Sequence, residues 1–258
     1  MDIFSFNLLG FLLILLRVSA FFVAVPIFSY RTIPTTHKIG LAVFLSWIMY
    51  YTVEIPTFAF DGLYILLILK EIMVGLLIGL IATILLTAIR VAGGFIDFQM
   101  GFAIANVIDP QTGTQSPITG QFLYIFALLF LLAINGHHML LDGVFYSYQT
   151  IPIDQVGVPF GDEKMLNHIV STFNSMFVIA FQMSLPIVGS LFLVDVALGI
   201  MAKTVPQLNI FVVGFPIKIA LSFLLLMIVM GPFFMLVGNL FEQILIAMRG
   251  LMSIIGGG

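Results

Sequence analysis

Residues 63–89 read LYILLILKEIMVGLLIGLIATILLTAI, and this stretch decides the class of fold. It runs for 27 residues, of which only Lys70 and Glu71 are charged. About 20 apolar residues are enough for a helix to cross the hydrocarbon core of a bilayer. The stretch therefore predicts a membrane-spanning helix.

The whole chain shares this composition, which excludes several classes of function. Of its 258 residues, 61% are hydrophobic and 8% are charged, whereas about a quarter of the residues are charged in an ordinary soluble domain. A soluble enzyme is therefore excluded. The net charge of −3 lacks the positive field that nucleic-acid binding needs. The chain has no cysteine, and so no disulfide framework or cysteine-ligated metal site.

Five further apolar runs give the organisation of the chain. They cover residues 3–26, 39–53, 117–142, 166–201 and 208–248. Together with residues 63–89, they predict an all-α protein of the integral-membrane type, with about six long apolar helices in a single domain over residues 1–258.

Glycine and proline predict where these helices end or bend. Gly93-Gly94 predicts the end of the third helix, and Pro186 predicts a kink. Residues 208–248 would span about 60 Å as one straight helix, twice the hydrocarbon thickness of a bilayer. We therefore expect the helix to be kinked or broken at Gly231-Pro232, which would give either a hairpin or two differently tilted halves.

Aromatic and methionine residues cluster just before a polar segment. The cluster consists of Phe95, Phe98, Met100 and Phe102. Flexible methionine and planar phenylalanine side chains can form a deformable seal, and hydrophobic constrictions gate pores by excluding water. The ordinary alternative is that these side chains simply pack or face lipid.

The polar segment that follows predicts a loop without regular hydrogen bonding of its own. Asp109-Pro110 and Gly113 favour turns, and Ser116 followed by Pro117 predicts the start of a helix with Ser116 as its N-cap. An irregular loop at membrane depth is tolerated only where protein or a water-filled cavity surrounds it. Residues 106–117 are therefore a candidate pore loop, and an exposed connection is the alternative.

Several charged residues lie within or beside apolar runs, where ionisable groups are costly. They are Lys70, Glu71, Asp195, Lys203 and Lys218. Asp195 and Lys203 lie about 12 Å apart along a helix and cannot bond each other, so each needs another partner. We favour interhelical or intersubunit ion pairs over a proton or ion path. Gly75 and Gly79 form a G-x-x-x-G pattern that allows another helix to approach closely.

A histidine pair supplies the main catalytic alternative. His137, His138 and Asp142 contain the H-x4-D spacing of membrane-bound acyltransferases, in which the carboxylate orients a histidine base. His138 and Asp142 are also i, i+4 neighbours on a helix, and we favour a structural polar pair. Adjacent histidines diverge on a helix, so we expect no metal site, and no motif points to a cofactor.

Seven motifs in order carry a resemblance that covers nearly the whole chain. They are residues 25–29 (VPIFS), 33–34 with 38–42 (IP and KIGLA), 99–103 with 109–110 (QMGFA and DP), 135–138 (NGHH), 195–199 (DVALG), 206–211 (PQLNIF) and 214–218 (GFPIK). The chain resembles the family of the flagellar biosynthetic protein FliR, an export-gate component of the type III secretion apparatus. It departs from the family at Lys203, where arginine is more usual, which leaves the partner of this residue in doubt.

The resemblance implies a non-enzymatic subunit of a protein export gate. It implies assembly with FliP and FliQ, contact with FlhB, and passage of unfolded flagellar subunits. It places the chain in the flagellar basal body at the bacterial inner membrane, with the gate partly raised toward the periplasm. The candidate assembly residues are Glu71, Gly75, Gly79, Asp195, Lys203, Pro206, Gln207 and Lys218.

The resemblance also implies that a loop of this subunit lies in the closed pore. Residues 106–117 match that loop, with Asn106, Asp109, Pro110 and Gly113 as the plug and the preceding phenylalanine and methionine cluster as the gasket. The rival hypothesis is a small secondary transporter or ion channel that uses Lys70, Glu71, Asp195 and Lys203. Such a transporter usually has matched helix interruptions in two halves, and the sequence shows none.

Overall fold

The computed structural model describes residues 7–30, 32–102, 107–108, 115–157, 161–205, 207 and 209–257. Within these ranges the helices are α1 (Leu8–Ala24), α2 (Pro26–Ser29), α3 (Thr35–Tyr50), α4 (Gly62–Met100), α5 (Ile118–Ala133), α6 (Gly136–Thr150), α7 (Glu163–Thr204) and α8 (Ile210–Gly256). Two short strands, β1 (Val107–Ile108) and β2 (Gln115–Ser116), form an antiparallel pair. The predicted all-α class is confirmed.

Fewer helices could cross a bilayer than the six we expected. In the described part of the chain, α4, α7 and α8 are long and apolar enough to span, and α5 with α6 could form one broken fourth span. The difference arises at the first two apolar runs. There α1 has 17 residues and α3 has 16, which is short of the roughly 20 that a span requires.

The predicted helix end at Gly93-Gly94 is wrong, and at Gly231-Pro232 the helix is not broken. α4 continues through Gly93-Gly94 to Met100, and α8 continues through Gly231-Pro232 to Gly256. A proline in a helix removes one backbone hydrogen bond, whereas each helix end leaves four N–H or four C=O groups without an intrahelical partner. In apolar surroundings continuing the helix is therefore cheaper than breaking it. Pro186 likewise lies inside α7 without ending it.

A break that we did not expect separates α5 from α6. Asn135 has φ 58°, in the left-handed region, which ends the helical path at Ile134. Asparagine tolerates this conformation better than most residues, and Asn-Gly is a strong turn signal. The sequence therefore contained the signal at Asn135-Gly136, inside the run of residues 117–142.

The chain divides into two compact units. Unit 1 comprises Met1–Leu85, Asn135–Phe173 and Glu242–Gly258, and unit 2 comprises Leu86–Ile134 and Asn174–Phe241. The chain passes from one unit to the other four times, at 85/86, 134/135, 173/174 and 241/242, so neither unit is a continuous segment. The single domain over residues 1–258 stays a prediction.

Close helix contacts form the core of each unit. In unit 1, α1 packs against α3 and crosses α4 at Gly75 and Gly79. A Cβ atom at Gly75 would overlap the backbone of Arg17, and one at Gly79 would overlap the side chain of Ala24. In unit 2, a Cβ atom at Gly93 would overlap the backbone of Gly120 in α5. The approach that we predicted from G-x-x-x-G is therefore made within the chain, by α1.

Candidate functional site

The phenylalanine and methionine cluster at the end of α4 belongs to unit 2, and the structure divides it. Phe98 is 75% exposed and Phe95 is 38% exposed. Met100 is fully buried, and Phe102 is half-buried with its ring 6.4 Å from that of Phe223. Two members of the predicted gasket are thus available for contact outside this unit, and Met100 belongs to its core.

The segment after the cluster has hydrogen bonding of its own, which corrects our expectation of an irregular loop. Val107 pairs with Ser116 and Ile108 pairs with Gln115, so the backbone forms a hairpin. Ser116 belongs to this hairpin, and the N-cap of α5 is Pro117, which offers no side-chain cap. The plug residues Asn106, Asp109, Pro110 and Gly113 lie outside the described residues.

A carboxylate of α4 supplies the cap that Pro117 lacks. The Asp97 oxygens accept the backbone N–H of Thr119, in the first turn of α5, at 3.1 and 3.3 Å. Asp97 is 4% exposed, and the Met100 sulfur lies 4.0 Å from the Thr119 hydroxyl. A carboxylate at a helix N-terminus is favoured by both the free N–H groups and the helix dipole. Asp97 therefore holds the start of α5, which follows the hairpin, against the end of α4, which precedes it.

Gly101 ends α4 and fixes the direction in which the chain leaves it. Its φ of 89° lies in the left-handed region, and a Cβ atom there would overlap the ring of Phe215 in α8. Glycine is the residue that adopts this conformation without steric cost. We did not predict this role for Gly101, although the residue belongs to the QMGFA motif.

A polar cluster on the same unit joins α4, α7 and α8. Asp195 accepts hydrogen bonds from Gln99 at 2.7 Å and from Lys218 at 3.0 Å. The expectation that Asp195 needs a partner other than Lys203 is confirmed, because its ion pair is with Lys218. Lys203 lies exposed in the last turn of α7, and it forms no ion pair with the described residues.

A second ionic cluster lies entirely within unit 1. Glu71 pairs with Arg17 at 2.5 and 2.9 Å and with Lys70 at 2.5 Å. Arg17 also donates to the Ser147 hydroxyl and the Ile151 carbonyl, and its guanidinium lies 4.0 Å from the centre of the Tyr148 ring. All three charged side chains are 0–2% exposed.

The balance of charge in this cluster explains its remaining contacts. Two cations meet one carboxylate, and the Lys70 ammonium donates to the carbonyls of Pro152 and Ile153, each at 2.9 Å. Carbonyl dipoles thus share the excess positive charge, as buried ions require further hydrogen bonds. Arg17 was not among the residues predicted to carry a function, and its one signal in the sequence is its position inside the apolar run of residues 3–26.

These partners bear on the roles that we predicted from the sequence. Glu71, Gly75 and Gly79 make close contacts inside unit 1, and their part in subunit assembly stays a prediction. Lys70 and Glu71 form an ion pair with each other, which disfavours a role of these residues in a path for protons or ions. Gln207 is exposed, and Pro206 lies outside the described residues.

The histidine pair does not make the contact that its spacing predicted. The rings of His137 and His138 lie 4.2 Å apart, and Asp142 pairs with Arg249 at 3.9 Å instead of with His138. Asp142 and Arg249 are both largely exposed, so this is a surface ion pair. Among the described residues, no group of three histidine or acidic side chains is arranged to hold a metal ion.

Comparison with known proteins gives the family of this chain. Residues 8–244 match the family described as bacterial export proteins, family 1. The chain is 55% identical over 248 residues to the flagellar biosynthetic protein FliR of Bacillus subtilis, covering 96% of each protein. It is 29% identical over 242 residues to FliR of Escherichia coli, covering 93% of this chain and 91% of the relative.

A relative from another export system is similar over most of its length. The Yop proteins translocation protein T of Yersinia pestis is 30% identical over 230 residues, which cover 88% of each protein. These names refer to flagellar biosynthesis and protein translocation, and none of them is the name of an enzyme.

Proposed function

This chain belongs to family 1 of the bacterial export proteins, and we propose that it forms part of the gate through which unfolded flagellar proteins leave the cell. It is a subunit of a type III export apparatus, and its long apolar helices suit a membrane location in the flagellum. The finer proposal is that it assembles with FliP and FliQ, contacts FlhB, and lies in the basal body at the inner membrane. That proposal extends the family resemblance.

The observation that carries the assembly proposal is the exposure of α7 and α8. These helices have 42 and 47 residues, or about 63 and 70 Å at 1.5 Å per residue. In an apolar 18-residue stretch of each helix, only 17% is buried, whereas 61% of the corresponding stretch of α4 is buried. A bilayer core about 30 Å thick covers roughly half of such a helix. The remaining apolar surface is best covered by other subunits.

The anchored hairpin supports the gating proposal. Asp97 holds the start of α5 to α4, while Phe95 and Phe98 remain exposed beside the hairpin. A loop whose two ends are fixed can close a pore reproducibly, and exposed phenylalanine rings can complete a hydrophobic seal. We propose that residues 106–117 close the gate and that these rings pack around the closure.

The assembly proposal is tested by expression with and without partners. With FliP and FliQ present, we expect a co-purified complex that contains this chain. Without them, the exposed faces of α7 and α8 should lead to aggregation or degradation. A monodisperse, protease-resistant monomer would overturn the proposal.

The gating proposal is tested by shortening the loop. Replacing residues 107–114 by a Gly-Ser linker should leave the complex assembled but make the cells leak small ions. The matched control replaces residues 155–161, a connection of unit 1, and should not cause leakage. Phe98→Ser probes the seal without changing the loop and should give a weaker leak. Wild-type permeability in both the shortened loop and Phe98→Ser, with normal amounts of complex, would exclude this closure.

A further inference from the structure

We propose that a groove between α1 and α3 in unit 1 binds an anionic phospholipid, with Lys38 on the headgroup phosphate. The groove encloses a cavity of about 380 Å³, within the size range of small-molecule sites. Its polar lining consists of Ser19, Ser29, Thr35 and Lys38. The inference does not depend on the gate function.

The charge of Lys38 is uncompensated within the described residues. Its ammonium donates to the Ser29 carbonyl at 3.0 Å and forms no ion pair there. An ammonium has three donors, so two remain for a ligand. The sequence has no acidic residue between Asp2 and Glu54, while Arg17, Arg31 and Lys38 are cationic. Arg17 is paired with Glu71, and the positive charge that favours an anion in this region therefore comes from Arg31 and Lys38.

Polar groups without a hydrogen bond to the described residues line the groove together with Lys38. Among the described residues, the hydroxyls of Ser19 and Thr35 form no hydrogen bond, which leaves both free to donate. Helix α3 begins at Thr35 after Pro34, which offers no side-chain cap. The positive end of this helix dipole is therefore not offset by a capping carboxylate or hydroxyl. Phosphate oxygens are the acceptors that an ammonium, hydroxyls and a helix N-terminus share.

The apolar lining distinguishes a lipid from free phosphate. Phe22, Val23 and Ile39 also line the groove, and Val23 is 71% and Ile39 58% exposed. A free phosphate would leave these side chains uncovered, whereas a phospholipid places an acyl chain on them. Basic pockets between helices of membrane proteins bind anionic headgroups in this way. The groove therefore fits one molecule that is anionic at one end and apolar at the other.

Photolabelling of the assembled complex tests this site. The full chain, co-expressed with its export partners, is reconstituted into phosphatidylcholine vesicles that contain phosphatidylglycerol with a diazirine in its acyl chain. We expect adducts on the peptides that carry Val23 and Ile39. One lysine near an anionic surface contributes about 1 kcal/mol, so Lys38→Gln should lower the labelling about fivefold. Lys38→Arg, which keeps the charge, should restore it.

Matched controls separate the alternatives. Lys164→Gln changes an exposed lysine of the same unit outside the groove and should label like the parent chain. Equal labelling by diazirine phosphatidylcholine, or unchanged labelling of an assembled Lys38→Gln complex, would overturn the proposal. Displacement of the label by excess inorganic phosphate would show a phosphate site without lipid selectivity and would also overturn it. So would a zero-length cross-link between Lys38 and a carboxylate of another subunit.

Discussion

The two ionic clusters of this chain have similar chemistry but different surroundings. In unit 1, Arg17, Lys70 and Glu71 are 0–2% exposed, and within the described part of the chain their hydrogen bonds and ion pairs are with groups of the same unit. In unit 2, the side chain of Lys218 is 14% exposed and that of Asp195 is 40% exposed. Burial makes the first cluster essential to the stability of the fold, because a buried charge without its partner is strongly destabilising. Exposure leaves the second free to respond to solvent or to a neighbouring subunit.

Removing the carboxylate of the buried cluster should have the largest effect. Glu71→Gln leaves two cations in unit 1 without their counter-ion, and such a loss typically costs about 3–5 kcal/mol. We expect the purified complex to unfold at a clearly lower temperature. The loss of protease resistance of this chain on heating measures the unfolding. Glu242→Gln is the matched control, because Glu242 is exposed in the same unit. Equal stability of the two variants would mean that burial does not distinguish the clusters.

Close backbone packing, and not the exposed ion pair, should dominate the stability of unit 2. Gly93→Ala places a Cβ atom against the Gly120 backbone, and overpacking of this kind costs about 1–3 kcal/mol. Gly189→Ala, where the added Cβ meets no atom within 4 Å beyond the adjoining residues and backbone of its own helix, should instead stabilise α7 by up to about 1 kcal/mol. The temperature of thermal unfolding should therefore fall in Gly93→Ala and rise in Gly189→Ala. Shifts of the same sign would contradict the packing described for Gly93.

Replacing Asp195, the acid of the half-exposed cluster, should destabilise the protein less than Glu71→Gln or Gly93→Ala does. In Asp195→Asn, the amide retains the contact to Gln99, and an ion pair this exposed contributes below about 1 kcal/mol after solvent screening. The same unfolding assay should show a small decrease that shrinks further at high salt. A loss as large as that of Glu71→Gln would show that another subunit buries Asp195 in the complex.

The smallest effect is expected at the surface pair of Asp142 and Arg249. The two groups are 3.9 Å apart and largely exposed, and pairs of this kind often contribute nothing measurable. Asp142→Asn should leave both the unfolding temperature and flagellar export unchanged, as judged by motility. Loss of export with normal assembly would instead revive a chemical role for the His137, His138 and Asp142 group.

The sequence predicted the helical class and the need for partners, but not the identity of those partners. Glu71 and Arg17 lie 54 residues apart, so no local spacing connects them, and only the packing of α1 on α4 does. The helix end predicted at Gly93-Gly94 is wrong, and α8 continues through Gly231-Pro232, because the surroundings outweigh the local preference of glycine and proline for helix ends. Gly93 serves close packing, and an apolar environment favours keeping a helix intact over one lost hydrogen bond.

The two ends of the hairpin segment are fixed independently of what lies between them. Asp97 joins α4 to α5, and β1 pairs with β2. Doubling the length of a closed loop adds only about 0.6 kcal/mol of closure entropy. We therefore expect that the residues between the strands can be replaced together by another sequence. Peptide tags, cysteine labels or loops from related systems can be inserted at 109–114 while the supporting helices keep their arrangement.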